Sequence, residues 1–372
     1  MDQGFGQKII SFKKPDPALF LSVLLLAGLG VLVLASVSAA FSMEKFGVPN
    51  YYFNHQFFYG WLPGTLLGLV AFFIPLNKLK EAALPLFTVN LFLLILILFS
   101  QIGLRFFGAS RWLDLGLFSF QPSEILKLAF ILYLAAWFAK REKFGRGGVK
   151  ETLPFLLVLI LVGLLLALQP DVGTLGIVAL VGVGVFFLSR SSWQQVFLLL
   201  GLGAVAFLGL ILAAPYRLSR LLTFLNPDLD IVGQGYQLSQ ALIAAGSGGF
   251  FGLGLGFSRQ KFGFLPQTIG DAIFPIFAEE TGFLGAAILV LLFLFLFWRG
   301  LIVSAQARDS FSRLAGAGVS LWFVGQAFIN IAALTNLLPL TGVPLPFISY
   351  GGSHLVAEMI GAGILLNISR QT

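Results

Sequence analysis

The sequence predicts an all-α, polytopic integral membrane protein, with ten transmembrane helices and a long extracytoplasmic loop before the eighth. Of its 372 residues, 58% are hydrophobic and only 10% charged, and the mean hydropathy is +0.94. A soluble domain carries roughly 25% charged residues. The apolar residues also fall into ten runs near the ~20 residues that a helix needs to cross a ~30 Å hydrocarbon core. A third observation, the sorting of basic residues between loops, gives these runs an orientation.

The first run, 18–41, follows basic residues and ends in ASVSAAFS. Small residues of this kind close signal peptides, but the apolar stretch is too long for one, so an uncleaved anchor is expected. The next spans are 56–76, 82–103, 123–139, 152–168, 172–189 and 194–214, and 123–139 and 152–168 are short enough to need tilt or extended ends. The eighth, 271–298, follows the loop 215–270, and the ninth and tenth are 314–335 and 352–369. Together they form one domain, 1–372, with 1–17 as an N-terminal segment.

Ten spans place both termini on one side. Of the 23 Lys and Arg residues, fifteen fall on that side, seven on the other and Lys127 within a span, so the terminal side is expected to be cytoplasmic. The net charge of +7 is therefore a topology signal, and nucleic acid is not an expected partner. Cysteine is absent, which excludes disulfides and thiolate chemistry; two histidines, His55 and His354, are too few for a zinc cluster.

Three segments on the non-cytoplasmic side are longer or more polar than a connection requires: 103–127, 215–270 and 335–354. The second is long enough to suggest function. The third is rich in Pro and Gly, and such backbone survives near membrane depth only where protein or a cavity covers it. Together they are expected to roof a pocket that opens outward. In PYRLSRLLTFLNPD, Arg217 and Arg220 are three apart and would share a helix face. Arg259 and Lys261 in FSRQKFG add two cations. Such a group suits phosphate oxygens, or lipid headgroups at the interface. The run GSGGFFGLGLG, 246–256, lacks the strand and βαβ unit of a nucleotide fingerprint and is expected to be a flexible or closely packed turn.

In FLPQTIGDAIF, Asp271 stands where a polar loop meets an apolar run. It could cap the eighth span or act as a general base, and the two roles are compatible, since both use an ionised carboxylate. Glu279 and Glu280 lie about 12–13 Å deeper at 1.5 Å per residue. They are either functional intramembrane acids or partners of a polar group on another span. Glu124 and Lys127, at i and i+3, are expected to neutralise one another. Asp171, in QPDVG, is expected to cap the sixth span while facing the outer side. Glu358 and His354 have no partner that the sequence identifies.

Four blocks then resemble the SEDS family (shape, elongation, division and sporulation), over nearly the whole chain: 107–135, 167–174, 216–285 and 337–355. The last contains LPFISYGGSH. The resemblance implies a peptidoglycan glycosyltransferase of the bacterial inner (plasma) membrane, multi-pass with cytoplasmic termini. Its implied substrate is lipid II, the undecaprenyl-pyrophosphate-linked disaccharide pentapeptide. Its implied partners are a class B penicillin-binding protein and other membrane proteins of division or elongation. Asp271 occupies the position of the family's essential acid, between an LP dipeptide and a Glu-Glu pair. Gln267, Ile269 and Gly270 depart from the family's pattern, as do His354 after SYGGS and Glu358 in the last span. The SRQK and SFQPSE segments resemble the FtsW branch more than RodA.

On this reading Asp271 deprotonates the acceptor sugar's 4-hydroxyl, which displaces undecaprenyl pyrophosphate in one inverting step. Arg111, Arg217, Arg220, Arg259 and Lys261 are candidate groups for the pyrophosphate, and Ser349, Gly351, Gly352 and Ser353 for close backbone approach to substrate. Glu124, Lys127, Asp171, Glu279 and Glu280 are candidate supporting polar residues. A divalent cation, Mg²⁺ or Mn²⁺, bridging the pyrophosphate is compatible with this chemistry, but no metal ligands are assigned. A flippase for the same lipid would need stepping stones such as Glu124, Lys127, Glu279, Glu280 and Glu358. A noncatalytic scaffold would make the outer charges dispensable.

Overall fold

The computed structural model describes residues 14–371, apart from 100–102, 107–108, 115, 117–118, 144–148, 190, 228–229 and 231–232. Lys8, Lys13, Arg146 and Arg190, four of the cations that orient the chain, lie outside the described residues. Eight described helices are long and apolar enough to cross a membrane, and two more, Thr152–Leu168 and Val172–Leu188, are shorter. The protein is thus a polytopic helical membrane protein, with most of the predicted spans met by long helices.

α1 (Pro17–Phe46) is followed by a span built from α2 (Tyr51–Gln56), a π-helical turn (Phe57–Trp61) and α3 (Leu62–Phe73). Next come α4 (Leu76–Phe99), α5 (Pro122–Lys143), α6 (Val149–Leu168), α7 (Val172–Leu188) and α8 (Trp193–Leu212). Between α4 and α5 the aromatic segment is not wholly irregular: β1 (Gly103–Phe106), β2 (Ala109–Asp114) and β3 (Ser119–Phe120) form an antiparallel sheet. The long loop contains α9 (Pro215–Leu225) and α10 (Gln234–Ser247), and α11 (Ile273–Ala305), α12 (Ser310–Leu334) and α13 (Gly352–Ser369) complete the chain.

α5, α12 and α13 are the most enclosed long helices and form the centre. Small residues let neighbours close on it, as at Gly363 of α13, where a Cβ would lie 2.1 Å from the Gly68 carbonyl oxygen of α3. Both described ends meet at one face. Asp16 caps α1 through the Leu19 N–H, pairs with Arg299 near the far end of α11, and donates its own N–H to Ser369 at 3.0 Å. Since α11 begins at Ile273, Asp271 lies some 28 residues, or about 40 Å of helix, from that pair, at the opposite, distal face.

α11 is not continuous. Gly282 has φ 70°, ψ −171°, which opens the helix just after Glu280. Freed backbone groups need partners at membrane depth, and residues 249–254 supply them. Leu253 and Gly254 donate to the Glu279 and Glu280 carbonyls at 3.0 Å each, and Phe283 and Leu284 donate back to Gly249 and Phe250 at 2.9 and 3.1 Å. The glycine-rich run is therefore a closely packed turn: a Cβ on Gly252 would lie 2.2 Å from the Glu280 carbonyl oxygen.

Candidate functional site

Asp271 lies in the turn before α11. It is not the helix cap: Ala272 takes that position, with no side-chain capping bond. Released from capping, the carboxylate keeps its Oδ1 shielded from solvent and without a hydrogen-bond partner, although the residue as a whole retains some exposure. Burial pushes the Asp271 carboxyl up to about 6, offset in part by its own and the Ala272 backbone N–H groups and by the Arg220 guanidinium. Such a group is still mostly ionised at pH 7 and is a better base than an ordinary surface aspartate.

The other elements converge on it from three directions. From α12, Asn330 donates its amide to the Asp271 carbonyl and the Val343 carbonyl, both at 2.7 Å. From the segment before α13, Tyr350 N–H donates to the Ile269 carbonyl at 2.8 Å, tying SYGG to the Asp271 turn. From α9, Arg220 reaches over: its Nη1 lies 3.5 Å from the Leu340 carbonyl, and its Nε is buried without a partner. Burial lowers the Arg220 pKa, the nearby Arg111 guanidinium lowers it further, and Asp271 opposes both. Arg111 itself, on β2, donates to the carbonyls of Gln169 (2.9 Å) and Pro170.

Other predicted residues stand apart from this group. Arg217 spends its three nitrogens on the Tyr216 hydroxyl and the Leu210 and Ala167 carbonyls, each at 2.9 Å, fastening α9 to the ends of α8 and α6. Lys261 is buried and paired with Glu280 at 3.1 Å, so this outer-loop cation turns into the protein. Arg259 has an exposed side chain, and its N–H donates to Glu279 at 3.1 Å. Glu279 also accepts from the Ser258 hydroxyl, and Glu280 from Ser36 of α1 at 2.8 Å.

Glu124 and Lys127 pair at 2.7 Å, as expected, and Lys127 continues to Gln326 at 2.8 Å. Gln326 donates to Glu358 at 3.2 Å and to the Pro344 carbonyl at 3.0 Å, while Glu358 accepts from Phe347 N–H at 2.8 Å. That bond holds Phe347 at φ 63°, an unusual conformation for a bulky residue. Asp171 caps α7 through Thr174 N–H and accepts from Ser123 at 3.1 Å. Ser349 accepts from Leu345 N–H at 2.8 Å, and His354 Nε2 meets the Ser349 carbonyl at 3.1 Å. Gly351 N–H donates to Gln56 at 2.9 Å, Ser353 accepts from Gln121 N–H at 3.1 Å, and a Cβ on Gly352 would lie 2.7 Å from the Tyr59 carbonyl oxygen. These contacts make SYGGSH a braced segment.

The sequence reading did not single out Asn330 or Gln326. Their spacing, four apart in an apolar helix, places both amides on one face and was the available signal.

The space beside Asp271 is small. Asp271, Asn330, Leu340, Thr341, Gly342 and Val343 line a space of about 10 Å³, room for one water, because the 340–343 segment folds across it. A cavity of about 510 Å³ lies at the opposite face among Lys80, Glu142, Arg308 and Arg313, far from Asp271. Among the described residues no three His, Asp or Glu side chains are grouped to hold a metal ion.

Residues 17–372 match the family model FTSW_RODA_SPOVE, described as a cell cycle protein. Stage V sporulation protein E of Bacillus subtilis is 37% identical over 96% of this chain and 97% of its own length. A probable peptidoglycan glycosyltransferase FtsW of Coxiella burnetii is 39% identical over 96% of each chain. Among solved structures, one described as "Structural coordination of polymerization and crosslinking by a peptidoglycan synthase complex" superposes with a TM-score of 0.77 at 29% identity, covering 96% of this chain and 98% of the other. The Rod shape determining protein RodA of Thermus thermophilus gives 0.71 at 27%, covering 96% and 97%. With a family match across its helical length and close relatives named FtsW and SpoVE, the chain belongs to the FtsW/RodA/SpoVE family, on its FtsW-like side.

Proposed function

We propose that this protein is a peptidoglycan glycosyltransferase that polymerises lipid II at the outer face of the plasma membrane, with Asp271 as general base. The observation that carries the reading is the buried, unpartnered Oδ1 of Asp271 beside Arg220, in a chain of this family. The acceptor's 4-hydroxyl gives its proton to Asp271 as its oxygen attacks the anomeric carbon of the donor. The bond to undecaprenyl pyrophosphate breaks in the same step, with inversion. Negative charge then grows on the pyrophosphate, which needs no acid to leave. Arg220, with an uncommitted buried Nε, is the cation that acts on the base, and with Arg111, which acts on Arg220, it stabilises that charge.

The small space beside Asp271 admits no sugar as it stands, so substrate entry there requires the 340–343 segment to move, and α9 reaches that segment through Arg220. The single long contact from Arg220 to Leu340 is a weak tie between them. The excess of cations on the terminal face supports cytoplasmic termini and a distal site outside the cell, and the eight long and two shorter apolar helices support a count of ten spans. The likeness to the synthase-complex structure supports a class B penicillin-binding protein as partner. A flippase path is disfavoured because its stepping stones are taken: Glu280 by Lys261 and Ser36, Glu124 by Lys127, Glu358 by Gln326 and Phe347.

The test is purified chain plus its transpeptidase partner, given labelled lipid II. Glycan polymer is expected from the wild type and none from Asp271→Asn that remains folded and partner-bound. Unchanged polymer in that variant rejects Asp271 as the base, and transbilayer movement of lipid without polymer favours the flippase.

A further inference from the structure

Two residues that line the small pocket each carry a buried side-chain oxygen with no hydrogen-bond partner. One is Oδ1 of Asp271 and the other is Oδ1 of Asn330. Buried acceptors left unpaired are uncommon and costly. Both belong to residues that line one small space, and neither oxygen can donate to the other while Asp271 is ionised. The arrangement wants a proton donor between them.

The orientation of Asn330 is fixed by its other end. Its amide nitrogen donates to two carbonyls, Asp271 and Val343, both at 2.7 Å, so the amide cannot flip without losing both bonds. The side-chain oxygen is thereby directed elsewhere, and the nitrogen pins the Asp271 main chain to the 340–343 segment. Among the pocket's lining residues only Asn330 and Thr341 add polar side chains to Asp271.

We propose that Asn330 positions the base and that its Oδ1 forms, with Asp271 Oδ1, a two-acceptor cradle for two donor hydrogens, supplied either by one water or by two neighbouring hydroxyls of the sugar that replaces it, the reacting hydroxyl donating to Asp271 and its neighbour to Asn330. The proposal rests on Asp271 being the base. Asn330 takes no proton: the hydroxyl hydrogen passes to Asp271 as the new glycosidic bond forms. Asn330 restricts where that hydroxyl waits and keeps the Asp271 turn and the 340–343 segment in register. Displacement of such a frame by about 1 Å can cost 10²-fold in rate.

The charged groups acting on Asp271 are Arg220 from α9 and, through it, Arg111 from β2; α12 and the 340–343 segment add none at the pocket. A carboxylate placed at position 330 would therefore act on Asp271 as a like charge and raise its apparent pKa. The experiment uses the full chain with its transpeptidase partner, lipid II as substrate, and Asn330→Ala, Asn330→Asp and Asp271→Asn. Polymer rates are followed from pH 5 to 9, and carboxyl infrared difference spectra, with the Asp271 band assigned by its loss in Asp271→Asn, report the titration without needing turnover. Asn330→Ala should lower kcat by about 10- to 100-fold. Asn330→Asp should move the Asp271 titration upward by about one pH unit in the spectra, even if turnover is too slow to profile. An unmoved Asp271 band in Asn330→Asp, or an Asn330→Ala rate within twofold of wild type, overturns the proposal while leaving the base intact. Full activity in Asp271→Asn instead removes the reading beneath it.

Discussion

Three acids lie within ten residues of one another at the start of α11, and the protein treats them in opposite ways. Glu279 takes the Ser258 hydroxyl and the N–H groups of Arg259 and Gln260; Glu280 takes Lys261 and Ser36. Asp271, nearer the surface, is left with an oxygen that nothing satisfies. The default reading of an intramembrane acid as functional is thus outweighed by its partners. The two deep glutamates form a clamp that holds the 249–261 loop against the break at Gly282, whereas the shallower aspartate retains unused capacity for chemistry.

The largest effect that can break this contrast is on rate. Asp271→Asn should lower polymerisation by about 10²–10⁴-fold, the range of a general base, without harming the fold. Its effect on stability should have the opposite sign. A carboxyl raised from 3.8 to about 6 by folding is penalised when ionised, the penalty growing as pH rises through that window and constant above it. Two pH units correspond to about 3 kcal/mol. Asp271→Asn should therefore melt higher than wild type at pH 8 and equally at pH 4. A lower melting temperature at pH 8 would mean that Asp271 holds the structure together as the glutamates do.

The converse substitution belongs to the clamp. Glu280→Gln leaves the Lys261 ammonium buried without its counter-charge, and losing one partner of a buried pair costs about 3–5 kcal/mol. Thermal unfolding should show that loss, and replacing both residues together, Lys261→Met with Glu280→Leu, should recover much of it. If the single variant is as stable as wild type, the clamp is not structural.

Arg220 tests the site at a smaller scale. It is the guanidinium that holds the Asp271 carboxyl down, so Arg220→Gln should move the acidic limb of the polymerisation profile, centred near pH 6, to higher pH. The rate at pH 8 should also fall, by about 10- to 100-fold, through loss of charge on the leaving pyrophosphate. A limb that stays in place would separate Arg220 from Asp271 electrostatically.

The contrast also shows what a sequence carries. Hydropathy displayed the apolar spans because lipid imposes length and composition on each helix separately. Local rules found the Asp171 cap, the Glu124–Lys127 pair and the α9 helix bearing Arg217 and Arg220. Partners distant in the chain stayed hidden. Lys261 reads as a surface cation until Glu280 is folded against it, and 271–298 reads as one continuous span until residues 249–254 lie along the break at Gly282. Asp271 reads as cap or base alike, and the cap fails because it stands one residue too early, with Ala272 in the capping position. Asn330 is silent because the groups it binds are main-chain carbonyls, which have no letter in the sequence.

The smallest test sharpens the comparison from α1, a helix distant in sequence from both sites. Ser36 donates to both Glu280 oxygens, at 2.8 and 3.0 Å, and has no part in the proposed chemistry. Ser36→Ala should cost about 1.5 kcal/mol, the lower end for a hydrogen bond to a charged group, because Lys261 still compensates the carboxylate. Ser36→Thr, which keeps the hydroxyl, should cost less if its methyl group fits. Polymer formed per folded molecule should match wild type in both variants. A fall in that rate at unchanged stability would connect the clamp to catalysis and remove the division between acids that brace and an acid that reacts.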